Sequence, residues 1–346
     1  MSEKRKITFM SAINEAIDQS MKQDENVILI GTDVSGGAGV DHIQDDDTFG
    51  GVFGVTKGLA KKYGRQRVID TPIAEHITIS SAVGAAATGL RPIAELMFND
   101  FLGFGLDPIL NQGAKMRYMF GGKAKIPLVV RTVHGAGAGA AAQHSQSLYN
   151  MFAAIPGVKV VVPSNPYDAK GLLMAAVQDD NLVVFSEDKT LLGQKGEVPE
   201  EPYTVEIGKA RVVREGEDLT IVAIGKMVAV AEETANQLAE DHISAEVIDL
   251  RTVSPWDEET ILESVKKTGR LIVIDESNPQ CNIAGDVASV IGDRGFDYLD
   301  GPIKKVTAPD TPVPFAANLE AAYIPNVDKV LDVASELIED LKKVKS

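Results

Sequence analysis

Three short stretches of the 346-residue chain place carboxylates, histidines and aromatic rings where a strand gives way to a loop or helix. In the first, Ile69-Asp70-Thr71-Pro72-Ile73-Ala74-Glu75-His76, Pro72 fixes φ at a strand end. The small residues Ser80, Ser81, Ala82, Gly84, Ala85, Ala86 and Ala87 then follow as a tightly packed helix. Glu75 falls at the strand-to-helix junction. The helix dipole alone favours an acid there. The same position, beyond the carboxyl end of a strand, is where open parallel sheets collect ligands.

The second stretch, Arg91-Pro92-Ile93-Ala94-Glu95-Leu96-Met97-Phe98-Asn99-Asp100-Phe101, runs a strand into two phenylalanines. Phe98 and Phe101 suit ordinary core packing. Core is the plainer reading, but they also suit the apolar wall of a cofactor pocket, since a ring face stacks on a planar heterocycle. Glu95, inside the strand, needs a partner if it is buried. The third stretch runs from His134 through Gly135-Ala136-Gly137-Ala138-Gly139-Ala140 to Gln143-His144-Ser145-Gln146-Ser147. Gly135, Gly137 and Ala140 give a superficial dinucleotide fingerprint after a strand. The next strand ends in Val162-Pro163-Ser164, without the ribose-binding acid expected about 20 residues on. Ala138-Gly139 also reads as a flexible opening for a helix. Small residues leave room for a ligand or another backbone, and His144 suits acid–base work near neutral pH; a surface or core histidine is the plainer reading.

The elements that must position these residues alternate along the chain. Apolar runs at 27–30, 67–70, 93–97, 127–132, 159–163 and 182–186 read as buried strands. Met10, Ile13, Ile17 and Met21 share one helical face, Leu106, Ile109, Leu110 and Ala114 repeat the spacing, and a helix over 169–177 follows Asn165-Pro166. Strand–helix alternation predicts an α/β fold with a mostly parallel sheet covered on both faces. Near 191–206, Lys195, Glu197, Pro199, Glu200, Glu201 and Pro202 read as an exposed linker. Alternation then resumes, with strands at 219–224, 245–250, 271–275 and 303–306 and helices at 227–238, 258–267, 283–291 and 327–341. Two domains follow, 1–190 and 207–346. Asp45-Asp46-Asp47 reads as a solvated loop tip without calcium-loop spacing.

Composition narrows the function classes. With 34 Lys+Arg against 50 Asp+Glu the formal charge is -16, which disfavours a protein that grips nucleic-acid backbones. The 44% apolar content is too high for a disordered chain. No apolar run reaches the roughly 18 residues of a membrane span. Met1-Ser2-Glu3-Lys4-Arg5-Lys6 has neither the apolar stretch of a signal peptide nor the composition of a transit peptide. One cysteine, Cys281, excludes an internal disulfide and a Cys-based metal site. These features predict a soluble, cytoplasmic protein.

Taken together the strings resemble a known family. Asp70-Thr71-Pro72-Ile73-Ala74-Glu75, Gly89-Leu90-Arg91-Pro92-Ile93-Ala94-Glu95 and Ala142-Gln143-His144-Ser145-Gln146-Ser147 are similar to β chains of thiamine-diphosphate-dependent 2-oxo acid dehydrogenase first components. So are Pro156-Gly157-Val158-Lys159-Val160-Val161-Val162-Pro163 and Asp249-Leu250-Arg251-Thr252-Val253-Ser254-Pro255, and the similarity spans nearly the whole chain. Met97-Phe98-Asn99-Asp100-Phe101 and Val133-His134-Gly135-Ala136-Gly137 most resemble the acetoin dehydrogenase branch.

The resemblance implies a pyrimidine-binding N-terminal domain, a transketolase-like C-terminal domain and a tetramer of two α and two β chains. The implied reaction cleaves acetoin and passes a two-carbon unit to a lipoyl group on an acyltransferase core. Pyruvate or branched-chain 2-oxo acid decarboxylation is the close competitor. The superfamily's Gly-Asp-Gly signature for the diphosphate and Mg²⁺ is incomplete in Gly285-Asp286-Val287 and Gly292-Asp293-Arg294, so that half of the site is expected on the α chain. Glu75 matches the family's glutamate for the aminopyrimidine nitrogen, Phe101 its ring against the pyrimidine, and His144 its histidine near the thiazolium. Thr32 and Phe104 occupy further cofactor-contact positions. Leu128, Ala176, Asp179 and Asn181 match a structural potassium site. Two other readings remain: a docking subunit whose acidic surface meets a basic module of the core, and a nicotinamide enzyme, which the defective fingerprint opposes.

Overall fold

The structure, a computed structural model, describes residues 5–36 and 50–345. Asp45-Asp46-Asp47 lies outside them. The chain divides into two compact units, Met1–His134 with Met151–Ile207, and Gly135–Asn150 with Gly208–Ser346. In chain order the first part contains β1 (Lys6–Thr8), α1 (Phe9–Gln23), β2 (Val27–Gly31), α2 (Leu59–Tyr63), β3 (Val68–Asp70), α3 (Glu75–Ala87) and β4 (Arg91–Phe98). It continues through α4 (Met116–Met119), β5 (Val129–His134), α5 (Tyr149–Ala153), β6 (Lys159–Val161), α6 (Pro166–Gln178), β7 (Val183–Asp188) and β8 (Lys195–Glu197). Then come β9 (Arg211–Arg214), β10 (Leu219–Ala223), α7 (Met227–Glu240), β11 (Ala245–Asp249), β12 (Thr252–Ser254), α8 (Glu258–Thr268) and β13 (Leu271–Asp275). The last are α9 (Ile283–Arg294), β14 (Lys304–Thr307), α10 (Ala317–Tyr323) and α11 (Val327–Lys345).

Within the first unit the strands lie in the order β6-β7-β5-β4-β2-β3, each pair parallel. Runs such as Val27-Ile28-Leu29-Ile30 are apolar on both faces because helices cover both faces. α1 starts where Thr8 Oγ1 accepts from the Ser11 N–H at 3.0 Å. Its buried stripe of Phe9, Ile13, Ile17 and Met21 packs towards α6, and burying each such side chain stabilises by about 1.5–3 kcal/mol. α6 is capped as its sequence predicts, by Asn165 Oδ1 on the Asp168 N–H at 2.9 Å.

Two expectations change here. The helical spacing of Leu106, Ile109, Leu110 and Ala114 does not make an α-helix. A 3-10 segment, Asn99–Gly105, and a π-helical turn, Pro108–Gly113, stand there instead. The glycines explain it: a Cβ on Gly105 would lie 2.9 Å from Ile79 Cγ1, and one on Gly113 would lie 2.5 Å from Leu182 Cδ1. Close backbone approach to α3 and to the turn before β7 sets the path, not helical periodicity. The stretch 191–206 is only partly exposed. β8 pairs antiparallel with β1, Val198 and Val205 are buried, and Lys170 Nζ donates to the carbonyls of Pro199, Glu200 and Glu201 at 2.7, 3.0 and 3.1 Å. Those contacts hold the backbone, while Lys195, Glu197, Pro199, Glu200, Glu201 and Pro202 are themselves exposed as expected.

The second unit holds a sheet in the order β14-β13-β10-β11-β9, parallel except for β9. Its core joins Leu219, Ile221, Ile272 and Ile274 to Ala231 and Leu238 of α7 and to Val330 and Ala334 of α11. The expected two-domain α/β architecture is therefore what the chain adopts. Among the described residues no helix is long and apolar enough to cross a membrane.

Candidate active site

At the carboxyl ends of β2 and β4 a cavity of about 160 Å³ opens in the first unit. Its polar lining is Thr32, Glu75, Thr78 and Glu95. Its apolar walls are Leu96, Met97, Phe98 and Phe101, with Val52 and Ile73 at 59% and 82% exposure on the rim. Glu75 is the first residue of α3, and Ala74 before it offers no side-chain cap, so the carboxylate is the acidic group of the first turn. The sequence thus brings Thr32, Glu75 and Phe101 to one pocket. Phe104 does not line it. That ring is 65% exposed and tilts against Phe101 at a centroid distance of 6.5 Å.

The aromatic wall is set by a break in the sheet. The register of β4 against β5 shifts between Leu96 and Phe98, and such bulges re-aim side chains. Phe98 then meets Phe53 and Phe101 edge-on at 5.7 and 6.2 Å. The 3-10 segment carrying Phe101 begins at Asn99, whose Nδ2 donates to Ser186 Oγ at 3.2 Å. Ser186 Oγ in turn meets His134 Nδ1 at 2.8 Å. All three side chains are buried, so the ring's anchor is fixed from beneath.

Glu95 finds its partner in Arg131, directly opposite on β5. Arg131 also binds Glu187 of β7, its Nη2 donating to Oε2 at 2.9 Å. This buried carboxylate–guanidinium–carboxylate row crosses three strands. Burial raises the Glu95 carboxyl, against the pull of Arg131. Burial likewise pushes Glu187 up to about 7, with Arg131 opposing. Glycine leaves room for Glu95: a Cβ on Gly31 would sit 2.9 Å from Glu95 Cβ, and one on Gly51 would collide with Oε1. Sequence reasoning singled out Glu95, placed Asn99 and His134 in its candidate stretches without a role, and missed Arg131, Glu187 and Ser186. For Arg131 and Ser186, a charge or polar group inside a run predicted to be a buried strand was the available signal; Glu187 falls one residue past its run.

His144 belongs to the second unit. Its stretch forms turns, and no helix opens at Ala138-Gly139. The dinucleotide reading fails for a physical reason. The amides a pyrophosphate would need are occupied by carboxylates: Ala136 N–H donates to Glu276 Oε1 at 2.6 Å, and Gly137 N–H to Glu320 Oε1 at 2.7 Å. Gly285 and Asp286 lie in the first turn of α9, with the Gly285 N–H on Asn282 Oδ1 at 2.9 Å.

The four positions matched to potassium gather around the turn from α6 to β7. Leu128 O accepts from Val183 N–H at 2.9 Å and Ala176 O from Asp179 N–H at 3.2 Å. Asp179 O accepts from Arg91 Nη1 at 3.2 Å, and Asn181 Oδ1 from Arg117 at 3.2 Å. The Asp179 carboxylate pairs with Lys159. Each of these oxygens already holds a donor.

Comparison with known proteins supplies the decisive observation. Residues 5–195 match the transketolase pyrimidine binding domain, and 208–330 match the transketolase C-terminal domain. The chain is 60% identical to the acetoin:2,6-dichlorophenolindophenol oxidoreductase subunit beta of Bacillus subtilis (strain 168), over 96% of this chain and 98% of that protein. The chain belongs to the family of acetoin and pyruvate dehydrogenase β subunits. The homonymous acetoin subunit of Cupriavidus necator is 52% identical over 97% of this chain and 98% of its own length. The pyruvate dehydrogenase E1 component subunit beta of Bacillus subtilis is 44% identical over 96% and 99%. A solved split-gene transketolase, an inactive β4 tetramer, shares the fold with a TM-score of 0.75 at 22% identity, over 96% of this chain and 98% of that one.

The family is one of oxidoreductase subunits in thiamine-diphosphate-dependent complexes, and a β subunit works with an α partner. The cavity's chemistry fits one end of that cofactor. It offers apolar walls, two rings and a carboxylate at a helix start, which suit a flat aminopyrimidine. Among the described residues, none lining it carries the positive charge that a diphosphate needs.

Proposed function

We propose that this chain is the β subunit of an acetoin dehydrogenase that cleaves acetoin, releases acetaldehyde and passes the two-carbon unit to a lipoyl group. The observation that carries the reading is Glu75 at the start of α3, sharing one pocket with Phe101 and Thr32. Identities of 60% and 52% to acetoin-oxidising subunits, against 44% to a pyruvate dehydrogenase subunit, favour acetoin. Bound thiamine diphosphate would supply a carbanion-forming thiazolium that acts as its own electron sink. Glu75 would hydrogen-bond the pyrimidine ring nitrogen, Phe101 would pack on the ring, and Thr32 would border it. His144 would steer protons and the incoming lipoyl group. Phe104 would add apolar surface beside Phe101.

The α chain would hold the diphosphate and Mg²⁺, which agrees with the lack of cationic side chains among the described residues that line the β-chain pocket. We assign 1–190 to the pyrimidine-binding domain, 191–206 to the connection and 207–346 to the C-terminal domain. The assembly would be a cytoplasmic α2β2 tetramer serving a lipoyl-bearing acyltransferase core. A potassium ion on the oxygens of Leu128, Ala176, Asp179 and Asn181 would share Asp179 O with Arg91, using the second lone pair of that carbonyl.

The test is a substrate panel. The chain assembled with its α subunit, Mg²⁺ and thiamine diphosphate is given acetoin, pyruvate or 3-methyl-2-oxobutanoate with a redox dye. Acetoin is expected to turn over at least tenfold faster than either oxo acid. Faster turnover of pyruvate would replace this reading with a pyruvate dehydrogenase first component.

A further inference from the structure

In the second unit, two buried carboxylates hold the glycine-rich loop that carries His144. Glu320, on α10, is 5% exposed. Its Oε1 accepts from Gly137 N–H at 2.7 Å and from Gly139 N–H at 3.2 Å, and its Oε2 accepts from Gly139 N–H at 3.1 Å. Both glycines take positive φ, 106° and 67°, which turns their amides to one side as a nest for an anion. Glu276, immediately after β13, accepts from Ala136 N–H at 2.6 Å. Lys226 bridges the same point, donating to Ala136 O at 2.6 Å and to Glu276 Oε1 at 2.8 Å. The far end of the loop is tied to the same strand end: Tyr149 donates to Asp275 Oδ1 at 2.5 Å, and Asn150 Nδ2 to Ser277 Oγ at 3.0 Å.

Much of this exceeds what folding the loop requires. A buried carboxylate is costly unless its oxygens are met by donors, and an apolar filler would close the gap more simply. Charge-assisted bonds to backbone N–H groups are short, directional and about twice as strong as neutral ones. They fix a backbone path in a segment whose glycines would otherwise leave it free. Ala136 adds an apolar anchor, packing with Ala308, Val313 and Tyr323, the last on the same helix as Glu320.

We propose that Glu320 is a positioning residue for His144: its carboxylate holds the nest of Gly137 and Gly139, and the nest sets where His144 stands during transfer to the lipoyl group. The proposal rests on the role assigned to His144 above. The hold on the loop is itself independent of that role.

Two measurements on the assembled αβ enzyme separate them. Glu320→Gln presents one acceptor oxygen and turns an NH2 group toward an amide donor. Hydrogen exchange at Gly137 and Gly139 is expected to quicken at least tenfold. Exchange in the strand Leu271–Asp275 is expected to stay as in the wild type, which shows that the unit remains folded. Glu320→Asp keeps the charge but draws it back by one methylene, and its exchange is expected to fall between the two. Lipoyl acetylation is expected to slow about tenfold in Glu320→Gln with the KM for acetoin unchanged. The double variant with His144→Ala is expected to be no slower than His144→Ala alone. Wild-type exchange at the two glycines, or losses that multiply in the double variant, would overturn the proposal. Unimpaired transfer by His144→Ala itself would instead overturn the role of the histidine.

Discussion

Glu75 illustrates how little a single residue must do when the surrounding walls are arranged first. The helix start supplies a partial positive charge, the absence of a cap at Ala74 leaves the first turn to the acid, and the pocket around it has apolar walls. A carboxyl group placed so can share a hydrogen bond with the nitrogen of a heterocycle that packs against the same walls. Glu75→Gln keeps shape and volume and removes the acid. Assembly with the α subunit is expected to be unaffected, while acetoin turnover falls about a hundredfold or more, the range seen when a positioned acid–base group is lost. Steady-state rates alongside gel filtration of the αβ complex check both halves. Turnover at the wild-type level would remove Glu75 from the mechanism.

Between elements, the charges that matter bind strands together. The Glu95–Arg131–Glu187 row joins β4, β5 and β7 under the pocket. Glu187 titrates at about 7 in the folded unit because burial outweighs Arg131, whereas an unfolded chain releases the proton near 4.5. The folded state therefore binds a proton more tightly across that window. Its stabilising effect is complete below about 4.5 and is lost as pH climbs through about 7. Glu187→Gln is expected to flatten this fall, cutting the pH-dependent part of stability between pH 5 and 8 by about 1–3 kcal/mol. Thermal unfolding across that range checks it, and parallel wild-type and variant curves would refute it. Legibility followed locality. Strands such as Leu271–Asp275 were readable because each is a short apolar run. β1 and β8 were not, since Lys6 opposite Glu197 reads as loop until pairing is known. Glu95 was visible as an acid needing a partner, but only the strand register identifies Arg131. The loop before His144 was misread because the group that decides its path, Glu320, lies 183 residues beyond Gly137.

At the scale of the whole chain, the excess of 50 acids over 34 bases is the property no single site explains. A charge of -16 creates a field that favours a basic partner and fades beyond roughly 8 Å at physiological ionic strength. In the proposed assembly that partner is a docking module of the acyltransferase core. Such steering acts on encounter, and so on association rate, more than on the chemistry of bound acetoin, a neutral molecule. Raising salt from 50 to 500 mM is expected to slow association of the αβ enzyme with the core at least tenfold. Dye-linked oxidation of acetoin, which needs no core, is expected to change less than twofold. Stopped-flow binding and the dye assay at matched salt concentrations compare the two. If association is indifferent to salt, the acidic surface is not what brings core and enzyme together. If both rates fall in step, salt is acting on the active site or on the α–β pairing, and the excess acid must be explained there.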